Sequence, residues 1–592
     1  MDIVHYYLKL SSHFASEKLN SPIPVTMQEL TGIWECTRRN AQLLVRKLRE
    51  QAYIDWDSGR GRGNLSTLVL KKDREGIRIG RAQELALKGQ VVQAFAVLEP
   101  RELHAQFADW LAGQFGAQYS ADEKDVLRFP FYRPVLDLDP LHVIRRTEAH
   151  LVRQLFNTLV EYHAESESVK PSLAHYWEHN PSWTEWTFYL RKGVWFHHGS
   201  RMTAADVVFT FQRIMDIEPP DWVTSNVLRL EARSEHVFSI TLKEPNALLP
   251  HILALERFSI VPKHVRQVSR DRDFRSMPVG TGPFRMVENN EVNMILEAHE
   301  RYHEGRPLID RVEIWVWPDY QEHLISGSSI LRESKPQYVD ESHSADHAKM
   351  ITQLEDGSSM LSLNTFKTGP LQDIRIRQAI HMAINRIDMI RTLGGRRQQP
   401  ASSFHPGNYD DQYGSAVDLD TAAELVQASG YGGETLLLET YEMKSNREDA
   451  EWIRACCGAI GLNVEIRIRP IRELTDSECI SQADMIFAGE VLGEEPTVEL
   501  IGMYLSHHGY IRNHLDLKSR DWMDRLVKAA LAEPNLQARR TILERIEEKL
   551  RQEYKVLFIY HSRQTVGFDP ALNGMTMNAW GRIDYKNVWI KH

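Results

Sequence analysis

Apolar residues at Ile3, Tyr6, Tyr7, Leu10 and Phe14 recur at spacings of three and four, the pattern of one helix face. "SPIP" at 21–24 breaks that pattern, and "TMQE" (Thr26 to Glu29) then supplies a capping box, in which a threonine hydroxyl and a glutamate carboxylate satisfy orphan amides reciprocally. A short second helix is predicted to about Trp34, and Thr37 can cap a third. In that third segment, "TRRNAQLLVRKLREQAYIDW", helical geometry puts Ala41, Leu44, Val45 and Leu48 on one side. Arg38, Arg39, Gln42, Arg46 and Arg49 fall within an arc of about 100° on another side, with Leu43 near its edge. The text then turns strand-like at "YIDW", passes through "SGRGRGN" (58–64), and alternates again in "LSTLVL". That order is three helices and a hairpin with a basic, glycine-bearing tip.

Further along, "RAQELALKGQVVQAFAVL" and "PRELHAQFADWLAGQF" read as two amphipathic helices between Arg81 and Phe115. The polar "GAQYSADEKD" follows, so residues 73–125 read as a helical connector ending in a linker at 117–125. From about 126 onward strands and helices alternate without internal repeats, the α/β pattern. "WTFYLRKGVWFHHG" alternates as a hairpin around Lys192-Gly193, and "TAAD" (Thr203 to Asp206) is a second capping box. "GTGPF" (Gly280 to Phe284) is a tight glycine-proline turn.

At 592 residues the chain is too long for one ordinary core. Its formal charge is −10, but residues 37–63 hold seven Arg or Lys (Arg38, Arg39, Arg46, Lys47, Arg49, Arg60, Arg62) against three acids, so basic character is local. A helix with an apolar back and an Arg/Gln front, preceded by a short helix and a tight turn, resembles the recognition helix of a helix-turn-helix. The chemistry suits double-stranded DNA: arginine bonds guanine bidentately, glutamine bonds adenine, and extra cations neutralise phosphates. Arg60 and Arg62 then sit at a wing tip that reaches the DNA backbone or minor groove. A P-loop is excluded because "GRGRGN" lacks the Lys-Ser/Thr ending, and a dinucleotide fingerprint needs a following helix where a strand follows here.

The first residues, "MDIVHYYLKLSSHF", do not read as a secretory signal, and no stretch approaches the roughly 18–20 apolar residues that span a bilayer. Four cysteines (Cys36, Cys456, Cys457, Cys479) show no ligand-like spacing. A reducing, cytoplasmic setting without a membrane is expected. Adjacent His197 and His198 point to opposite faces of a strand, and "HEGRP" at 303–307 lacks a companion histidine. No nucleophile elbow appears. Neither catalysis, a cofactor nor a metal site is expected.

Six segments carry a family resemblance: "RQLFNTLVEY", the block from "VKPSLAHYWEHN" to "TFQRI" at 169–214, "SIVPKH", "PVGTGPFRM", "HERYHEGRPLIDRVEI" and "LSLNTFKTGPLQDIRIRQAIHMAINR". In this order they resemble family 5 of the extracellular solute-binding proteins, over roughly residues 126–592. Together with the basic module ahead of it, the chain is similar to transcriptional regulators of the SgrR type. The resemblance implies a multidomain α/β chain. A winged helix-turn-helix (1–72) and a helical connector (73–125) precede a two-lobed, periplasmic-binding-protein-like sensor of type 2 (126–592). It implies a DNA-binding regulator that closes its lobes on a small metabolite, a sugar phosphate, a peptide or a related solute, and it admits a homodimer on DNA. The competing reading is a solute-binding protein of the ABC-importer kind with no DNA role.

Peptide-binding members use an aspartate in a "Trp…Asp-Tyr-x-Asp-Pro" stretch for the ligand's amino group. The comparable place here reads "ADMIFAGEVLGEEPTVEL", so Glu494 and Glu495 stand where the aspartates would be and the tryptophan is missing. Either glutamate can meet a cation or lie on a surface loop. Tyr132 and Arg133, at the end of the first strand, and Asn364, at the end of "LSLN", are the other pocket candidates, with Arg133 suited to an anion or to an internal ion pair.

Overall fold

The computed structural model describes residues 3–59, 65–98, 102–119, 123–143, 145–217, 222–265, 273–318, 349–407, 417–471, 473–568 and 570–592. The chain opens with α1 (Ile3–His13), β1 (Pro22–Val25), α2 (Met27–Trp34), α3 (Arg38–Glu50), β2 (Ile54–Asp57) and β3 (Ser66–Leu70). At the start of α2 the Glu29 amide donates to Thr26 Oγ1 at 3.0 Å, as the capping box requires. Glu35 ends α2 in the left-handed region (φ 49°), so the chain turns sharply into the Thr37 cap of α3. Tyr7, Leu10, Leu30, Trp34, Leu44, Leu48, Ile54 and Leu68 bury together as one core. "SPIP" is more than a break: it forms β1, which pairs antiparallel with β3 and gives a three-stranded sheet in the order β1-β3-β2.

Three helices follow where two were expected: α4 (Arg74–Ala86), α5 (Val91–Ala96) and α6 (Glu102–Ala112). Gly89 separates the first two with φ 74°, and a Cβ there would lie 2.9 Å from the Asn293 side chain, so the position both turns the chain and approaches a neighbour closely. The expected linker at 117–125 is also corrected. β4 (Gly116–Tyr119) pairs antiparallel with β5 (Asp125–Phe131) and so becomes the edge of a sensor sheet.

That sheet has the order β12-β13-β14-β5-β4, with β12 (Phe284–Asn289), β13 (Asn293–Ala298) and β14 (Arg311–Val316). It packs against α7 (Arg146–Leu155) and the C-terminal segment through Leu151, Leu155, Leu572, Ile583 and Tyr585. A hairpin of β6 (Val160–His163) and β7 (Ser168–Pro171) follows, and its core residues cluster with Met360, Ile486 and Phe558 further along the chain. Beside it lie α8 (Ala204–Met215) and a four-stranded sheet of order β10-β11-β9-β8, from β8 (Ala174–His179), β9 (Glu185–Leu190), β10 (Val227–Ser234) and β11 (Val237–Leu242). The hairpin expected around Lys192-Gly193 is therefore not made, because β9 takes β8 and β11 as partners instead.

The second lobe is built on a sheet of order β15-β21-β16-β20-β18-β19. Its strands are β15 (Lys349–Leu354), β16 (Gly357–Leu363), β18 (Thr435–Tyr441), β19 (Asn463–Arg469), β20 (Met485–Val491) and β21 (Val556–Phe568), with β17 (Arg397–Pro400) beside β21. β21 crosses from one lobe to the other: Leu557 and Ile559 lie in the second lobe's core, Val566 and Phe568 in the first's. β15 runs antiparallel to that crossing half, so two paired strands join the lobes beside each other. β22 (Leu572–Asn573) and β23 (Trp589–Ile590) close the C-terminal segment.

The connector helices share a core with the sensor sheet. Phe95 stacks on Trp317 at 5.4 Å, Phe115 meets Trp315 at 5.7 Å, and the Arg128 guanidinium lies over Trp315 at 4.4 Å. Trp315 and Trp317 are almost wholly buried against Phe107 and Leu111. Truncating Trp317 to alanine is expected to cost about 3–5 kcal/mol. Amide exchange in α4–α6 should then run well ahead of exchange in the two sensor sheets, measured by mass spectrometry on the full chain.

Candidate functional site

The first site is the outer face of α3. Ala41, Leu44, Val45 and Leu48 point into the module's core, which leaves Arg38, Arg39, Gln42, Arg46 and Arg49 exposed together, with Leu43 44% exposed at their edge. Arg46 donates to Glu50 at 2.7 Å. Both partners are largely in water, so this pair holds the guanidinium weakly and releases it readily to a phosphate or base. Arg60 and Arg62 lie outside the described residues. The strands that flank them are in register, Asp57 opposite Thr67, and the Gly59 amide donates to Ser66 Oγ at 3.4 Å.

The second site lies where the lobes meet. α7 brings Arg146 and Arg153 from the first lobe, and α9 (Pro496–Leu505) with the end of β20 brings Glu490, Glu494, Glu495 and Glu499 from the second. Arg146 pairs with Glu355 at 2.9 Å beside the crossing strands, and Arg153 stands 3.6 Å from Glu256. Burial pushes the Glu355 carboxyl up, yet Arg146 and Arg396 outweigh it and hold it below the usual carboxylate range. For Glu499 the compensation is too small: burial, then Glu256 and Glu495, push its carboxyl up to about 8 against the pull of Arg153. Burial likewise raises Glu490, to which the Tyr510 hydroxyl donates.

The candidates from the sequence are distributed unevenly about this cleft. Glu495 is 2% exposed, caps α9 by accepting from the Val498 amide, and lies 3.6 Å from His251. Glu494 accepts from the Ala579 amide at 3.0 Å, tying the second lobe to the C-terminal segment of the first. Neither is a surface-loop glutamate. Arg133 is committed to Glu148 through contacts of 2.9 and 3.1 Å, so the internal ion pair prevails over a free anion contact. Tyr132 is 43% exposed, and its hydroxyl accepts from Arg133. Asn364 is buried with its amide donating to the Ala483 carbonyl at 2.8 Å and its oxygen accepting from the Phe366 and Lys367 amides, which makes it the holder of a turn.

Arg146, Arg153, Glu256, Glu490 and Glu499 were missed. The run "EVLGEEPTVEL" does carry four glutamates in ten residues at a strand-to-helix junction. What it lacks is any sign that α7, more than 300 residues earlier, faces it. His197 is half-buried, with its ring bonded to Gly280 and Gly282 backbone, while His198 meets Ser200 outside. Among the described residues no group of three His, Cys, Asp or Glu is arranged to hold a metal ion.

Two α/β lobes joined by paired crossing strands, with ionisable groups converging between them, define a solute-binding protein, here preceded by a helix-turn-helix module. The description "Bacterial extracellular solute-binding proteins, family 5 Middle" matches residues 168–509, and "Sugar transport-related sRNA regulator N-term" matches residues 3–122. The chain belongs to family 5 of the bacterial extracellular solute-binding proteins, in the SgrR-type arrangement with that N-terminal domain. The Bacillus subtilis protein YhjP is 30% identical over the whole of both chains. The HTH-type transcriptional regulator SgrR of Pectobacterium atrosepticum is 28% identical over 68% of each. Among solved structures, the Helicobacter pylori periplasmic binding protein DppA in complex with the peptide STSA has a TM-score of 0.67 at 22% identity, covering 79% of this chain and 98% of that one. NikA of Brucella suis, in complex with Fe(III)-EDTA, has a TM-score of 0.67 at 20% identity over 79% of this chain and 100% of its own.

The raised Glu499 carboxyl sets a pH dependence. The folded protein holds a proton that the unfolded chain releases near 4.5, so stability falls as pH rises from about 4.5 through about 8. Glu499→Gln is expected to remove that component and to be more stable than the parent by more than about 1 kcal/mol at pH 8. Urea unfolding of both proteins between pH 5 and pH 8.5 checks this.

Proposed function

We propose that the chain is a DNA-binding transcriptional regulator. A winged helix-turn-helix presents α3 to the major groove and the 58–64 tip to the backbone, and the two-lobed domain senses a small solute. The observation that carries this reading is the Arg/Gln face of α3: five residues of DNA-reading chemistry, all exposed, on a helix whose back is fully buried. Relatives named HTH-type transcriptional regulator SgrR support it. Among the described residues no helix is long and apolar enough to cross a membrane, which is compatible with a regulator working in the cytoplasm.

For the solute, the cleft's carboxylates favour a molecule bearing a cationic amine over a sugar phosphate. A phosphate facing Glu256 and Glu495 would meet like charge, with Arg146 and Arg153 already drawn to Glu355 and Glu256. The implied mechanism is population shift: a solute that contacts α7 and α9 together binds the closed arrangement better and so favours it.

The test is binding to DNA from upstream of the protein's own gene. Replacing Arg38, Gln42 and Arg46 together by alanine is expected to weaken binding by at least about tenfold and to relax sequence preference. Unchanged affinity and salt dependence would favour a solute receptor with no DNA role. Loss of Arg60 or Arg62 is expected to weaken binding evenly across sequences, each lowering the salt slope by about one.

A further inference from the structure

α7 faces two ways. Arg146 and Arg153 reach toward the glutamates between the lobes, whereas Thr147, His150 and Leu151 line a cavity of about 80 Å³ inside the first lobe. Its far walls are Gly116 of β4, Phe129 of β5, and Met575 and Tyr585 of the C-terminal segment. The lining is almost wholly apolar, and the polar groups at its margin are engaged elsewhere: Arg128 with Glu313 at 2.8 Å, Arg582 with Thr147 at 3.0 Å.

His150 faces the same cavity. It is 2% exposed, and its Nδ1 accepts from the Asn578 amide at 3.4 Å, which assigns the ring proton to Nε2. Nε2 has no hydrogen-bond partner. Burial, helped by Arg582 and Arg153, lowers the ring's pKa to about 3, so it stays neutral and offers one N–H. A buried donor with nothing to accept from it is unfavourable, and a lone water is a poor remedy, because a buried water needs about two to four polar partners.

We propose that this cavity is a second ligand site, taking a small apolar molecule with one hydrogen-bond acceptor, such as a short-chain ketone, which the His150 Nε2–H holds. The size sets the class: cavities that hold benzene are about 150 Å³, so the occupant here has about three or four heavy atoms. The place gives the site its interest. An occupant touches the helix that faces the solute cleft and the strand β4 that leads back to α6 and the N-terminal module. It requires neither a particular cleft solute nor DNA binding.

The test uses the full chain with methyl-labelled methionine, the Met575 signal assigned through Met575→Leu, and acetone as the probe. A saturable shift of the Met575 methyl is expected, with His150→Leu binding the ketone roughly threefold to tenfold more weakly. Xenon, which accepts no hydrogen bond, should perturb Met575 equally in parent and variant. Absence of a saturable Met575 shift in the parent, or equal ketone affinity in His150→Leu, overturns the proposal. If His150→Leu fails to fold, Ile583→Phe, which fills the cavity from the opposite wall, must abolish the shift, and a shift that persists overturns it as well.

Discussion

The seam between Trp315, Trp317 and the phenylalanines of α5, α6 and the turn after α6 is the contact on which the architecture depends. A helix-turn-helix module on a free tether would report nothing about a distant solute cleft, since a flexible chain transmits no orientation. Here the helices that follow the module are packed into the edge of a sensor sheet: Phe95 stacks on Trp317, and Arg128 covers the outer face of Trp315. β4 then extends that sheet by hydrogen bonds, so the connection is made by backbone as well as by side chains. Because α1 also packs against α4, the module's own core continues into the connector.

Charge is divided along the chain in the same spirit. The arginines of α3 stand exposed, where desolvation is small and a weak partner such as Glu50 holds Arg46 only loosely. A group of carboxylates is gathered between the lobes, where burial raises the energy of the charged form and leaves Glu499 protonated near neutrality.

Local chemistry was legible in the sequence because it rests on local rules. The Thr26 and Thr203 capping boxes, the buried stripe Ala41-Leu44-Val45-Leu48 and its arginine-bearing opposite face all follow from helical spacing. Three-dimensional proximity was not legible. "GAQY" reads as polar linker until β5 pairs with it, and "RKGVWF" reads as a hairpin until β9 meets β11. Asn364 and Arg133 sit at strand ends, where ligands often bind, but a turn and Glu148 use up their bonding capacity. Glu499 and Arg153 become a site only because distant segments fold onto each other, and a single sequence carries no mark of that.

The central claim is that the N-terminal module is held rigidly to the first lobe through the aromatic seam. Paired electron spin labels test it most directly, one at Leu19 after α1 and one at Leu308 on the sensor domain, both well exposed. Cys36 and Cys456 are replaced by serine to leave no other accessible thiol. A single narrow distance distribution, broadened by Trp317→Ala, is the predicted result. A broad distribution in the parent, as a flexible tether gives, would contradict the account.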